Sequence, residues 1–166
     1  MKPGPRRSRS AEVTLEAQPT QSWHLTGAVS YLDAIYTGEA PASALATAAI
    51  PGSRAEKSPR WSYNLWNRYD RAEGTLKGFG AGLGLTWQDE RLGGNGARTR
   101  IAPDPLLLPS FTRVDAALFY RLNDRVDFSL NFENMLNNLI FVSGTVGSGL
   151  EIAAPRTVSF RTGYRF

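Results

Sequence analysis

The chain has 166 residues, a net charge of +4, one histidine and no cysteine. That length suits one domain, and a charged fraction of 20% beside 42% hydrophobic residues excludes a chain too polar to fold. Without cysteine there is no disulfide framework, thiolate metal site or thiol nucleophile, and no run approaches the ~18 apolar residues of a membrane helix.

Residues 1–10 carry Lys2, Arg6, Arg7 and Arg9 among prolines and serines, with no periodicity. They read as a basic disordered leader or a false start. No apolar run follows the positive charges, so no signal peptide is read there. Basic residues elsewhere do not cluster on one element among aromatics, which argues against a nucleic-acid partner.

From Glu12 onward the pattern has period two, the signature of strands with one apolar face. The first strand, 12–18, aligns Val13, Leu15 and Ala17, and the second, 23–36, aligns Trp23, Leu25, Val29 and Tyr31 opposite His24, Thr26 and Ser30. A long Ala/Pro/Gly/Ser-rich connection follows. The third strand, 61–69, sets Trp61, Tyr63, Leu65 and Tyr69 against Ser62, Asn64 and Arg68. In the fourth, Phe79, Ala81, Leu83, Leu85 and Trp87 alternate with Gly78, Gly80, Gly82, Gly84 and Thr86. Residues 92–109 read as a second long loop. Val114, Ala116, Leu118 and Tyr120 define the fifth strand, and a tight turn at Asn123 and Asp124 leads to the sixth, with Val126, Phe128, Leu130 and Phe132 aligned. After a third long loop, 135–154, the last strand aligns Val158, Phe160, Thr162, Tyr164 and Phe166.

The prediction is an all-β fold of about seven long antiparallel strands, part of a transmembrane barrel. A spanning strand needs only ~10 residues with every second one apolar. Connections alternate short and long, as barrel turns do between the periplasmic and extracellular sides. In that orientation Trp23, Tyr69, Tyr120, Tyr164 and Phe166 lie at the inner interface, and Tyr31, Tyr36, Trp61 and Trp87 at the outer one. The rival is a small soluble or self-associating β-barrel carrier, with its apolar face inward. Burial of Phe79, Leu83, Leu85 and Trp87 in a closed interior would select it. The four glycines of strand four suit a wall against which another body packs closely.

Residues 114–138, VDAALFYRLNDRVDFSLNFENMLNN, resemble the near-terminal region of TonB-dependent outer-membrane receptors, siderophore receptors especially. That family shows a Val-Asp strand, a short turn and an Asn-x-x-Asn-Leu-Phe-Asp run. Here the run is Asn131-Phe132-Glu133-Asn134-Met135-Leu136-Asn137, with Phe141 as the following aromatic. Residues 154–157 before the strand ending Tyr164-Arg165-Phe166 resemble the closing strand of the same family. Tyr31-Leu32-Asp33-Ala34, Pro59-Arg60 with Asn64-Leu65-Trp66, and Gly82-Leu83-Gly84 with Glu90-Arg91 stand in its usual order.

The resemblance covers residues 13–166 and implies the C-terminal strands of a receptor barrel, 11–166, without the plug domain. By resemblance, the full-length receptor sits in the outer membrane of a Gram-negative bacterium and imports a ferric siderophore with the TonB energy-coupling system. The fragment alone is not expected to do so. Val158, Phe160, Tyr164 and Phe166 resemble the signal read by the barrel assembly machinery, with outer-membrane lipid against the same face. Trp66, Arg98, Arg100 and Phe141 are the candidate ligand contacts. His24 has no partner cysteine or histidine for a metal site, no nucleophile elbow or phosphate loop is present, and neither enzyme activity nor a resident cofactor is expected.

Overall fold

The computed structural model describes residues 5–38, 50–94, 106–145 and 149–166. Eleven strands follow one another: β1 (Arg6–Thr20), β2 (Trp23–Tyr36), β3 (Trp61–Asp70), β4 (Phe79–Gln88), β5 (Arg91–Leu92), β6 (Leu107–Leu108), β7 (Phe111–Arg121), β8 (Val126–Glu133), β9 (Phe141–Thr145), β10 (Gly149–Ile152) and β11 (Thr157–Tyr164). Seven of them form one sheet in the order β1-β2-β3-β4-β7-β8-β11, with every neighbouring pair antiparallel. β5–β6 and β9–β10 are separate two-stranded pairs set in the long connections. Among the described residues there is no helix.

The register carries the two faces across the whole sheet. Val13 opposes Val29, Val29 opposes Tyr63 and Tyr63 opposes Trp87. Leu118 then lies between Ala81 and Leu130, which pairs with Phe160. One face is therefore apolar from edge to edge, and it is not covered. Phe79 is 43% and Leu83 55% exposed, while Leu85 and Trp87 are half-buried by their neighbours on that face. None of the four lines a closed interior. Among the described residues Leu108 is the one large side chain fully buried, so the sheet has no hydrophobic core of its own.

Aromatic pairs border the apolar face at both ends. Tyr31 packs on Trp61 at 4.8 Å and Tyr63 stacks on Trp87 at 5.2 Å near the long connections. Near the short turns a chain of rings runs Phe79–Tyr120–Phe128–Phe160, at 5.3, 6.5 and 6.0 Å. Such spacings are favourable for ring quadrupoles. Asn67, polar on this apolar face, accepts a hydrogen bond from the Trp23 indole at 2.5 Å, so its carbonyl is not left bare. From the Trp61 level to the Tyr69 level is ~26 Å along the strand, or ~20 Å of height at a ~40° tilt, close to the height of a barrel's apolar band.

Three expectations need correction. Arg6 to Ser10 are not a disordered leader: they form the first third of β1, paired with Tyr36 back to Leu32. Residues 6–10 are all arginine or serine, so neither face is apolar and hydrophobic period two has nothing to detect. Tyr36 does not belong to the outer aromatic belt. It is only 5% exposed and lies on the polar face, opposite Arg6. The last strand stops at Tyr164, and the Phe166 ring folds back edge-on to Tyr164 at 5.1 Å.

Candidate functional site

The second face of the sheet is polar and concave, and its floor is the glycine strand β4. Gly80, Gly82 and Gly84 are buried and point to this side. Trp66 stands opposite Gly84 and lays its indole over Gly84 and Gly82. A methyl built on Gly84 would sit 2.8 Å from Trp66 Cε3, and one on Gly82 would come closer still to the same ring. Arg68, one step further along β3, reaches across the glycines to β7, where its guanidinium lies 4.1 Å from the Phe119 ring centre. The guanidinium also donates to both oxygens of Asp70, at 2.8 and 2.9 Å. The missing side chains on β4 thus form a track over which β3 side chains pass to β7.

At the short-turn end this wall borders an open hollow of about 1090 Å³, lined by Arg68, Phe119, Arg121, Asp127, Ser129 and Arg161 among others. Towards the long connections the wall carries a second charged group. Arg113 pairs with Asp115 at 2.8 Å and Glu133 at 3.1 Å. Asp115 also accepts the backbone N–H of Asn134, at 2.8 Å.

Asn134 is the centre of a turn that ties three strands together. It is 2% exposed with φ at 50°, a conformation asparagine tolerates better than most residues. Its Nδ2 donates to the Asn138 and Ala154 carbonyls, and its Oδ1 accepts the Asn138 N–H. Asn138 Nδ2 donates to Thr112 O on β7, and Asn137 Oδ1 accepts the Arg156 N–H just before β11. The asparagine run is a structural clamp on β7, β8 and β11.

Beyond the sheet, Arg91 performs a similar service for the long connections. It is 5% exposed, donates through Nη2 to Phe141 O and Val142 O at 2.6 and 2.9 Å, and lies near the Phe111 ring. Burial lowers its pKa from the ordinary guanidinium value. In the sequence Arg91 stood out only as part of the Glu90-Arg91 pair that resembles the family, with no role attached to it.

Of the four expected ligand contacts the structure describes two, Trp66 and Phe141. Trp66 is spread flat on the glycine track. Phe141 begins β9 in the connection between β8 and β11, and its carbonyl is taken by Arg91. Arg98 and Arg100 lie outside the described residues. Val158, Phe160 and Tyr164 do share the apolar face of β11, each more than half exposed, and Phe166 is fully exposed beyond it. His24 sits on the polar face opposite Arg68, and among the described residues no three His, Asp or Glu side chains group to hold a metal ion.

A polar concave wall, an uncovered apolar outer face and aromatic borders are the parts of a barrel segment. The profile of the TonB dependent receptor-like β-barrel matches residues 3–135. The chain belongs to this family. Among curated relatives, a probable TonB-dependent siderophore receptor of Acinetobacter baumannii, PiuA, is 27% identical over 134 residues, which are 78% of this chain and 17% of PiuA. The fold is shared with the crystal structure of that siderophore receptor (TM-score 0.79, 21% identity, 96% of this chain and 22% of the other). It is shared equally with the ferric yersiniabactin uptake receptor FyuA of Yersinia pestis (0.79, 13%, 97% and 24%) and the ferric-catecholate import receptor Fiu of E. coli K12 (0.78, 21%, 97% and 21%). The chain therefore spans about a fifth of the receptors it matches. The match from residue 3 also brings the basic opening, expected to lie outside the family pattern, within it.

Proposed function

We propose that this chain is the C-terminal section of the barrel wall of an outer-membrane receptor that binds a ferric siderophore and imports it with energy coupled through TonB. The observation that carries the reading is the uncovered apolar face bordered by aromatic pairs, a surface suited to lipid rather than water. The relatives named as siderophore receptors supply the substrate class. In the complete receptor the glycine track, Trp66 and the charged wall would face the lumen. Phe141, Arg98 and Arg100 would lie in the connections open to an arriving ligand. Lipid would meet the apolar face, and the assembly machinery would read Val158, Phe160, Tyr164 and Phe166. These seven strands alone offer a wall and not a passage, so import belongs to the whole barrel.

The test places the full chain in a cysteine-free PiuA in place of the matching strands. Single cysteines are then introduced at Val29, Leu83 or Phe160 on one face and at Thr86 or Ser129 on the other. In intact membranes a water-soluble maleimide should spare the first three and react with the last two once the lumen is opened. Equal labelling of both sets in a heat-modifiable, inserted barrel would overturn the membrane reading. Loss of siderophore-dependent growth despite correct insertion would overturn the substrate class alone.

A further inference from the structure

The start of β1 carries three arginines with different fates. Arg6 points to the polar face, where it lies over the Tyr36 ring, donates to the Tyr36 hydroxyl at 2.5 Å and pairs with Glu56 at 3.5 Å. Arg7 and Arg9 point the other way, onto the face that continues downward as Ala11, Val13 and Leu15. Both are exposed, and neither has an ion-pair partner among the described residues. Asp33 is opposite Arg9 in register but forms no ion pair with it, and Arg54, on the same side beyond Ile35, is already paired with Glu90.

Their height decides what they meet. Ala11 is in register with Tyr31 and, through it, with Trp61, the upper aromatic border. Arg9 and Arg7 are two and four residues above it, or about 5 and 10 Å in height at ~3.3 Å per residue and a ~40° tilt. The polar headgroup layer adds roughly 5–8 Å on each side of the hydrocarbon core. Two guanidiniums side by side on a lipid-facing wall, without an ion-pair partner among the described residues, therefore meet the headgroup region, Arg9 within the layer and Arg7 at its outer margin. Adjacent same-face side chains on a strand are ~7 Å apart, close enough for both forks to grip one phosphate group or two neighbouring ones.

We propose that Arg7 and Arg9 form a docking site on the outer wall for the phosphate-bearing headgroup of an outer-leaflet lipid. The site rests on the outer-membrane reading above. It would hold an anionic lipid against the β1–β2 hairpin, and the alternation of Arg6 inward with Arg7 and Arg9 outward serves both faces from one short segment.

The test uses the full chain carried in the PiuA barrel, purified in neutral detergent and titrated with lipid A or with its dephosphorylated form, bound lipid being counted by native mass spectrometry. Retention of the phosphorylated lipid should fall about tenfold or more in the Arg7→Gln/Arg9→Gln variant and stay unchanged in Arg6→Gln, with heat-modifiable migration intact in both. The dephosphorylated lipid should show no dependence on any of the three. An equal loss in the Arg6 and Arg7/Arg9 variants, or no loss in either, would overturn the proposal while leaving an inserted barrel and the receptor reading in place. Displacement of the lipid by millimolar inorganic phosphate would reduce the site to a small-anion site and also overturn it. A barrel that fails to insert would overturn the receptor reading, and this site with it.

Discussion

Gly82 and Gly84 have no side chains because the indole of Trp66 takes their space. Strand period alone suggested a wall against which some other body packs closely. The body is the neighbouring strand, and only the β3–β4 register, which no single-strand pattern contains, identifies it. Gly84→Val should cost the folded barrel about 1–3 kcal/mol, read as a lowered urea midpoint, because an overpacked wall must shift a ring lodged against backbone. Trp66→Ala in the same molecule should recover much of that loss, giving a double variant well short of additive. Full additivity would mean that the two positions do not meet. Asn134 makes the same point for hydrogen bonds. The sequence offered it as one letter of a family motif, while its value lies in closing the backbones of residues 138 and 154 from a buried position. Asn134→Ala should lower stability by about 1–3 kcal/mol, checked by the same denaturation series. A neutral result would reassign the clamp to Asn137 and Asn138.

At the scale of the strand, legibility followed hydrophobic contrast. β2, β3, β4, β8 and the body of β11 were readable because an apolar residue alternates with a polar one or a glycine along each, and β7 was readable from its aligned Val114, Ala116, Leu118 and Tyr120. The top of β1 was not, since Arg6 to Ser10 offers no apolar side, and β5, β6, β9 and β10 were hidden in loops because strands of two to five residues complete too few alternations. Tyr36 was misplaced by its type: an aromatic near a strand end suggests a border, but its even position on β2 puts it inward with Arg6 and Glu56. The end of β11 is the element whose function can be separated from its stability. Phe166 lies past the last strand residue and touches Tyr164 edge-on, so it anchors little of the sheet. An acidic residue at an interface position costs only about 0–1 kcal/mol. Phe166→Asp in the PiuA barrel should therefore leave the urea midpoint of refolded protein nearly unchanged while sharply reducing the amount inserted in cells. Equal insertion of both forms would remove the idea that this ending is read by the assembly machinery.

At the scale of the whole molecule, the count of strands limits what can close the wall. Each neighbour in the seven-stranded sheet is antiparallel to the last, so β1 and β11, the two edges, run in the same direction. Copies joined edge to edge would set β11 of one beside β1 of the next as a parallel seam. Single-chain bacterial barrels instead contain an even number of antiparallel strands. What completes this sheet must bring an odd number of strands, with both of its own edges running the opposite way. Left open in lipid, the exposed edge of β1 alone presents a row of unpaired N–H and C=O groups, each costing several kcal/mol where no water can reach it. The 166-residue chain, given a secretion signal and expressed alone, should yield no heat-modifiable band and should be cleared by proteases. The same chain in place of the matching strands of PiuA should migrate as a compact species that shifts on boiling. A compact, protease-resistant species from the chain by itself would show that the edges find each other after all. Cross-linking between single cysteines on β1 and β11 would then distinguish a parallel seam within one copy from one between copies.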